Sequence, residues 1–223
     1  MTGPGLTRAD VEGTPRGVVL MLHGGREASL APVDGRSTSW WRARWMMRHV
    51  SARANPAGVT VWLLRYRFRG WNGQALPPSP VADTRWALEE VRRELGPVPV
   101  VLLGHSMGAR TAVAVADDPN VTGVVALAPW LPADEPVTPL AGKHLAAAHG
   151  RGDKITSFAQ TAAFVRRAGV VAASTELSDM GPLGHYMLRR VARWNRFAAG
   201  RSLDLLSAAP LGDPGQERPT QGR

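Results

Sequence analysis

Pro99-Val100-Val101-Leu102-Leu103-Gly104-His105-Ser106-Met107-Gly108-Ala109-Arg110 is an apolar run that breaks into G-x-S-x-G and continues as a helix candidate. Strand, sharp turn, helix is the context in which that motif has chemical meaning. The two glycines are needed because a strand turning this abruptly into a helix would bring side chains two positions either side of the serine into collision. A serine on such a strained turn has its hydroxyl lifted clear of the backbone.

Outward from this turn, short β-branched or leucine-rich runs alternate with longer amphipathic segments, a pattern of βα units and a mostly parallel sheet. Strands are expected at Gly17 to Leu22, Val59 to Arg65, Val98 to Leu103, Val121 to Ala128, Lys143 to Ala148 and Thr175 to Leu177. Most are too uniformly apolar for one solvated face, which places them in a sheet covered by helices on both sides. Helices are expected at Thr38 to Ala54, Pro80 to Leu95, Met107 to Ala116, Ser157 to Ala168 and Tyr186 to Ala199. In the first, Trp40, Ala43, Met47, Val50 and Ala54 form one apolar stripe. Ser79 is the expected N-cap of the second, with Pro80 at its first position and Asp83 favoured by the N-terminal dipole. The fold class is therefore α/β: one domain, a mostly parallel sheet of about six to seven strands, helices on both faces. The domain is expected over residues 1–204. Residues 205–223 are expected as a loose tail, since SAAPLGDPGQERPTQGR after Leu206 is too polar and Pro/Gly-rich to bury itself. Pro77, Pro78 and Pro80 mark a loop within the domain.

Composition narrows the function. The chain has 223 residues, 44% hydrophobic and 20% charged, with no apolar run near the length of a membrane span. Its first residues lack the features of a secretory leader, so the cytoplasm is the default compartment. Absence of cysteine excludes disulfides, thiolate metal sites and a cysteine nucleophile. The net charge of +9 would suit nucleic acid, but Lys143 and Lys154 are the only lysines. Arginines such as Arg42, Arg44, Arg48, Arg92, Arg93, Arg166, Arg167, Arg189 and Arg190 are spread over several helices and loops, which reads as solvated surface. Neither nucleic acid nor membrane is expected as a partner. Oligomeric state stays open.

A serine hydroxyl needs a base within hydrogen-bond reach, and the base needs an acid that fixes its tautomer. The order expected on this kind of sheet is serine, then acid, then histidine. Asp153 follows a strand in His149-Gly150-Arg151-Gly152-Asp153, and His185 follows the last strand in Gly181-Pro182-Leu183-Gly184-His185. Both lie at strand C-terminal ends, where open α/β sheets place ligands. Asp179 is the rival for the acid, although it follows the last strand and so departs from the order.

With HGG after the first strong strand, GHSMG, HGRGD and the GH before the final helix, the sequence from Gly17 to Ala199 resembles the α/β-hydrolase superfamily. The resemblance implies that Ser106 is acylated, that His185 shuttles the proton and that Asp153 orients His185. His23-Gly24-Gly25 resembles the family's oxyanion loop. Its N–H groups, with that of Met107, would bind the developing alkoxide, Gly25 and Arg26 both being candidates for the first donor. Trp71, Trp41 and Trp130 are candidates for lining the substrate pocket. His49, His105, His144 and His149 are read as structural or surface residues. No cluster has metal-ligand spacing and no phosphate loop stands apart from the serine turn, so no metal or cofactor is implied.

The favoured function is hydrolysis of a small-molecule carboxylic ester or related acyl bond, with thioesters and amides open. The alternative is a non-catalytic binding or regulatory protein on the same fold. Variants with an aspartate nucleophile resemble this chain less, since it has Ser106. The segment from Pro129 to Gly142 is too short and proline-rich to build a cap domain. An open site that handles short or medium acyl chains, walled by Trp130 and Trp71, is the expectation.

Overall fold

The computed structural model describes residues 3–73 and 78–208. Its elements run β1 (Gly5–Ala9), β2 (Gly17–Leu22), α1 (Thr38–Ala54), β3 (Val59–Arg65), α2 (Ser79–Leu95), β4 (Val100–His105), α3 (Met107–Ala114), β5 (Val121–Leu127), β6 (His144–His149), α4 (Phe158–Ala168), β7 (Ser174–Asp179) and α5 (Val191–Ser207). The seven strands form one sheet in the order β1-β3-β2-β4-β5-β6-β7, all parallel except β1, which pairs antiparallel with β3.

This order fixes the layers. The crossover from β2 to β3 runs one way along the sheet, while those from β3 to β4, β4 to β5 and β6 to β7 run the other way. Right-handed crossovers then put α1 on one face and α2, α3 and α4 on the other. α5 joins α1, against which it packs. Coverage on both faces explains why all of β2, β4 as far as Gly104 and most of β5 and β6 are buried. The chain changes direction between the neighbouring strands β2 and β4, and a crevice outside their C-terminal ends is where such a sheet binds ligands. His23-Gly24-Gly25 and Ser106 emerge there.

The fold is the expected one, with local corrections. The edge strand β1 was not anticipated. The last helix starts at Val191 and not at Tyr186, because Met187 and Arg190 have φ of 54° and 51°, which helical backbone cannot include. It continues to Ser207, with Leu206 buried, so the ordered domain extends past the boundary expected at residue 204. Pro77 and the expected tail from residue 209 onward lie outside the described residues. Ser79 is the first residue of α2, whose cap is Pro78, and its hydroxyl accepts a hydrogen bond from Asn72 Nδ2. Asp83 is buried and serves the Arg67 guanidinium at 2.6 Å and the Arg67 N–H at 2.8 Å. Among the described residues no cap domain interrupts the fold: between β5 and β6 the chain makes only a 3-10 turn at Thr138–Leu140. Among the described residues no helix is long and apolar enough to cross a membrane.

Candidate active site

Ser106 sits between β4 and α3 with φ 55° and ψ −118°, a conformation that costs a non-glycine residue about 1–3 kcal/mol. The surroundings enforce it. Its N–H donates to Leu127 O at 3.0 Å and its carbonyl accepts from Ala109 N at 3.1 Å. A side chain on Gly104 would run into the backbone of Gly108 and Ala109, and one on Gly108 into the carbonyls of Leu22 and His23. The flanking glycines thus let helix α3 close onto both β4 and the end of β2.

Ser106 Oγ lies 3.0 Å from His185 Nε2, and His185 Nδ1 lies 2.8 Å from Asp153 Oδ2. The structure therefore brings all three proposed residues into one hydrogen-bonded chain. Two close loop contacts make this possible: a side chain on Gly150 or Gly152 would strike the carbonyl of Leu183 or Pro182, so only glycine lets the Asp153 turn approach the His185 turn. Asp179 is elsewhere, exposed and paired with Arg151 Nε at 2.6 Å.

Asp153 is unusually well served. Its Oδ2 also accepts from His149 Nε2 at 3.1 Å and Thr156 Oγ1 at 2.9 Å, and its Oδ1 from the N–H groups of Ile155 at 2.7 Å and Thr156 at 2.9 Å. Burial pushes this carboxyl up, but the hydrogen bonds from His149, His185 and the two N–H groups outweigh it and hold it far below the usual carboxylate range. An ionised carboxylate only accepts, so both imidazoles present N–H to it. His185 is thereby left with a bare Nε2 facing Ser106, the tautomer a general base requires.

His23 is buried with Nδ1–H on Gly24 O at 2.7 Å. Burial, opposed by that bond, lowers it to about 4, so it is a neutral pivot of the loop. His105 donates Nε2–H to His185 O at 3.1 Å, and burial, helped by the Arg42 charge, lowers it to about 3. Gly25 packs so tightly on Met107 and Arg69 O that a side chain would collide with both. The Arg26 N–H is committed to Arg69 O at 2.8 Å, which removes it as an oxyanion donor in this conformation. Among the described residues the N–H groups of Gly25 and Met107 have no protein acceptor. Gly25 lines the Ser106 cavity and Met107 directly follows Ser106 in the chain, so both unpaired N–H groups belong to residues at the elbow.

Trp71 and Trp130 line a cleft that shares Arg26 with the Ser106 cavity; Arg110 stacks on both, 4.2 and 4.5 Å from their rings, and the Trp130 N–H donates to Ser106 O at 3.2 Å. Arg110 is in turn fixed by buried Glu135 at 2.6 Å. Trp41 lines an apolar groove of about 310 Å³ between α1 and α5, which shares Thr38 and Arg42 with the Ser106 cavity. The cavity itself, about 340 Å³, is walled by Arg26, Arg36, Arg42, Arg69 and Tyr186. Surface status was expected for Arg42, and the sequence reading also missed His149 and Thr156 as partners of Asp153. A signal for Thr156 existed: an Asp three residues before a Thr can accept the following N–H groups in an Asx turn. Among the described residues no group of three or more His, Asp or Glu is arranged to hold a metal.

Residues 19–220 match the alpha/beta hydrolase family. No curated protein matches the chain in sequence. Solved structures do match the fold. An alpha-beta serine hydrolase homologue from Coxiella burnetii superposes with TM-score 0.66 at 16% identity, covering 90% of this chain and 94% of that one. A serine hydrolase without lid from Xanthomonas campestris gives 0.65 at 16% identity, covering 93% and 91%. A thermophilic esterase from Thermogutta terrifontis with bound propionate gives 0.68 at 15% identity, covering 95% and 92%. The match over nearly the whole sequence, on a sheet whose switch point carries the serine elbow, establishes that the chain belongs to the alpha/beta hydrolase family.

Proposed function

We propose that the chain is a serine hydrolase that cleaves a carboxylic ester or related acyl bond of a small molecule through an acyl-enzyme on Ser106. The observation that carries this reading is the chain Ser106 Oγ, His185 Nε2, His185 Nδ1, Asp153 Oδ2, with steps of 3.0 and 2.8 Å. Ser106 Oγ attacks the carbonyl carbon as His185 Nε2 takes its proton, and Asp153 stabilises the imidazolium. The carbonyl oxygen becomes an alkoxide that Gly25 and Met107 N–H receive, each such donor contributing about 3 kcal/mol. Collapse expels the alcohol, which takes the proton from His185. Water, deprotonated by His185, then attacks the acyl carbon and releases the acid and free Ser106.

The apolar groove beside the cavity offers room for the acyl chain along Trp41, Trp45 and Leu188. Without a cap it stays open to water, which favours short or medium acyl groups over long emulsified ones. The test is intact mass after a fluorophosphonate probe: one adduct is expected on the wild type and none on Ser106→Ala. Labelling that survives the substitution would remove Ser106 as nucleophile. Activity on p-nitrophenyl esters should fall from medium to long acyl chains, and the reverse order would overturn the capless reading of chain length.

A further inference from the structure

Four arginines, Arg26, Arg36, Arg42 and Arg69, line the cavity that holds Ser106 and His185, and among the described residues no Asp or Glu lines it. Arg69 is partly neutralised by Asp34 at 2.5 Å. Arg26, Arg36 and Arg42 have no carboxylate partner among the described residues. Arg26 and Arg36 are exposed, whereas Arg42 is half-buried. Two other half-buried arginines have carboxylate partners: Arg92 holds buried Asp118 at 2.8 Å and Arg110 holds buried Glu135 at 2.6 Å. Arg42 at similar depth has only the ring of Tyr186, 5.0 Å away, and burial lowers its pKa.

Like charges gathered around a concave site repel one another, and the low-dielectric walls focus their field into the opening. Counting Asp34, and Asp153 behind His185, the site still holds an excess of positive charge. A guanidinium presents paired N–H donors that match a carboxylate or phosphate. The arrangement also has direction. Arg26 directly follows the oxyanion donor Gly25, while Arg42 leans on the residue after His185. An anionic group held there lies next to the scissile bond rather than at a remote end of the substrate.

We infer that the substrate is an ester carrying a fixed negative charge, a carboxylate or a phosphate, close to the bond that Ser106 attacks. This rests on the reading of Ser106 as the nucleophile. Three butyrate esters of similar size separate the cases: ethyl butyrate, carboxymethyl butyrate and 2-phosphoethyl butyrate, each followed by acid release with the full chain. One charged ester, and the one that wins names the group, should exceed ethyl butyrate about tenfold in kcat/KM, with the advantage largely gone at about 0.5 M salt. Arg42→Gln and Arg36→Gln should each lower the ratio of charged to neutral turnover several-fold. Equal turnover of all three esters, with Ser106 still labelled by the fluorophosphonate, would overturn the inference and leave the hydrolase reading intact. No turnover and no labelling would overturn both.

Discussion

His149 Nε2 lies 3.1 Å from Asp153 Oδ2, the same oxygen that receives His185 Nδ1 at 2.8 Å. His149 is fully buried at the end of β6, and its Nδ1 is 2.7 Å from Thr161 Oγ1, which donates to it from α4. One carboxylate oxygen thus bridges two imidazoles, the second tied to a helix behind the site. This braces the acid without touching any reacting atom, so His149 is a positioning residue.

His149→Leu removes that donor. Turnover should drop about tenfold to a hundredfold through misplacement of Asp153. The loss should fall on kcat, with KM within about twofold of wild type, because His149 touches no reacting atom. Unchanged kcat in a folded variant would reduce His149 to packing.

The choice of acid can be checked directly. Asp153→Asn should lower kcat by about four orders of magnitude by presenting His185 in the wrong tautomer. Asp179→Asn loses only an exposed pair with Arg151 and should stay within about twofold of wild type. Steady-state kinetics on a p-nitrophenyl ester distinguishes them, and reversed results would transfer the role to Asp179.

Gly25→Ala places a methyl group against Met107 and Arg69 O, displacing the loop that holds one of the two free N–H donors. Loss of one such donor should cost about 100-fold to 1000-fold in kcat. Fluorophosphonate labelling should slow in parallel while far-ultraviolet circular dichroism stays the same, and unimpaired kinetics would exclude Gly25 as a donor.

Strain at Ser106 is measurable by comparing two variants that both lack the hydroxyl. At φ 55° and ψ −118° alanine is penalised and glycine is not. Urea unfolding should therefore find Ser106→Gly about 1 kcal/mol more stable than Ser106→Ala, the strain relief exceeding glycine's entropic cost. Equal stabilities would mean that the elbow stores no strain.

Asp153 also links stability to pH. Its folded pKa is depressed below the unfolded value of about 3.9, so near pH 4 the unfolded chain binds more protons and stability rises with pH. The contribution is complete above that value and is lost as pH falls below it toward the folded pKa. Urea midpoints from about pH 6 to pH 3 should show the gap between wild type and Asp153→Asn closing at the acid end. A constant gap would contradict the linkage.

Much of this was legible in the residues themselves. Uniformly apolar runs such as Val18 to Leu22 identify strands buried on both sides, and the glycines around Ser106 and Asp153 mark backbone approaches that only glycine permits. Three things were not legible. Strand β1 is short and at an edge, with no apolar run to reveal it. The meeting of Trp71 with Trp130 was hidden because Arg110, distant from both in sequence, draws the rings together. Arg42 looked like surface because its convergence with Arg26, Arg36 and Arg69 on one cavity depends on how two loops and α1 meet.

Strand β1 has a consequence for the protein's behaviour in a crowded solution. An unpaired strand edge is a template on which other chains can add, and β3, with sequence VTVWLLR, would be a hazardous one: apolar and rich in β-branched residues. The antiparallel strip Gly5–Ala9 closes it, with Arg8 stacked 4.2 Å over the Trp62 ring. The opposite border is β7, STELSD, whose two carboxylates and hydroxyls make a poor partner for strand addition. The five residues Gly5–Ala9 therefore replace the long apolar edge of β3 with a shorter, more polar one as the border of the sheet.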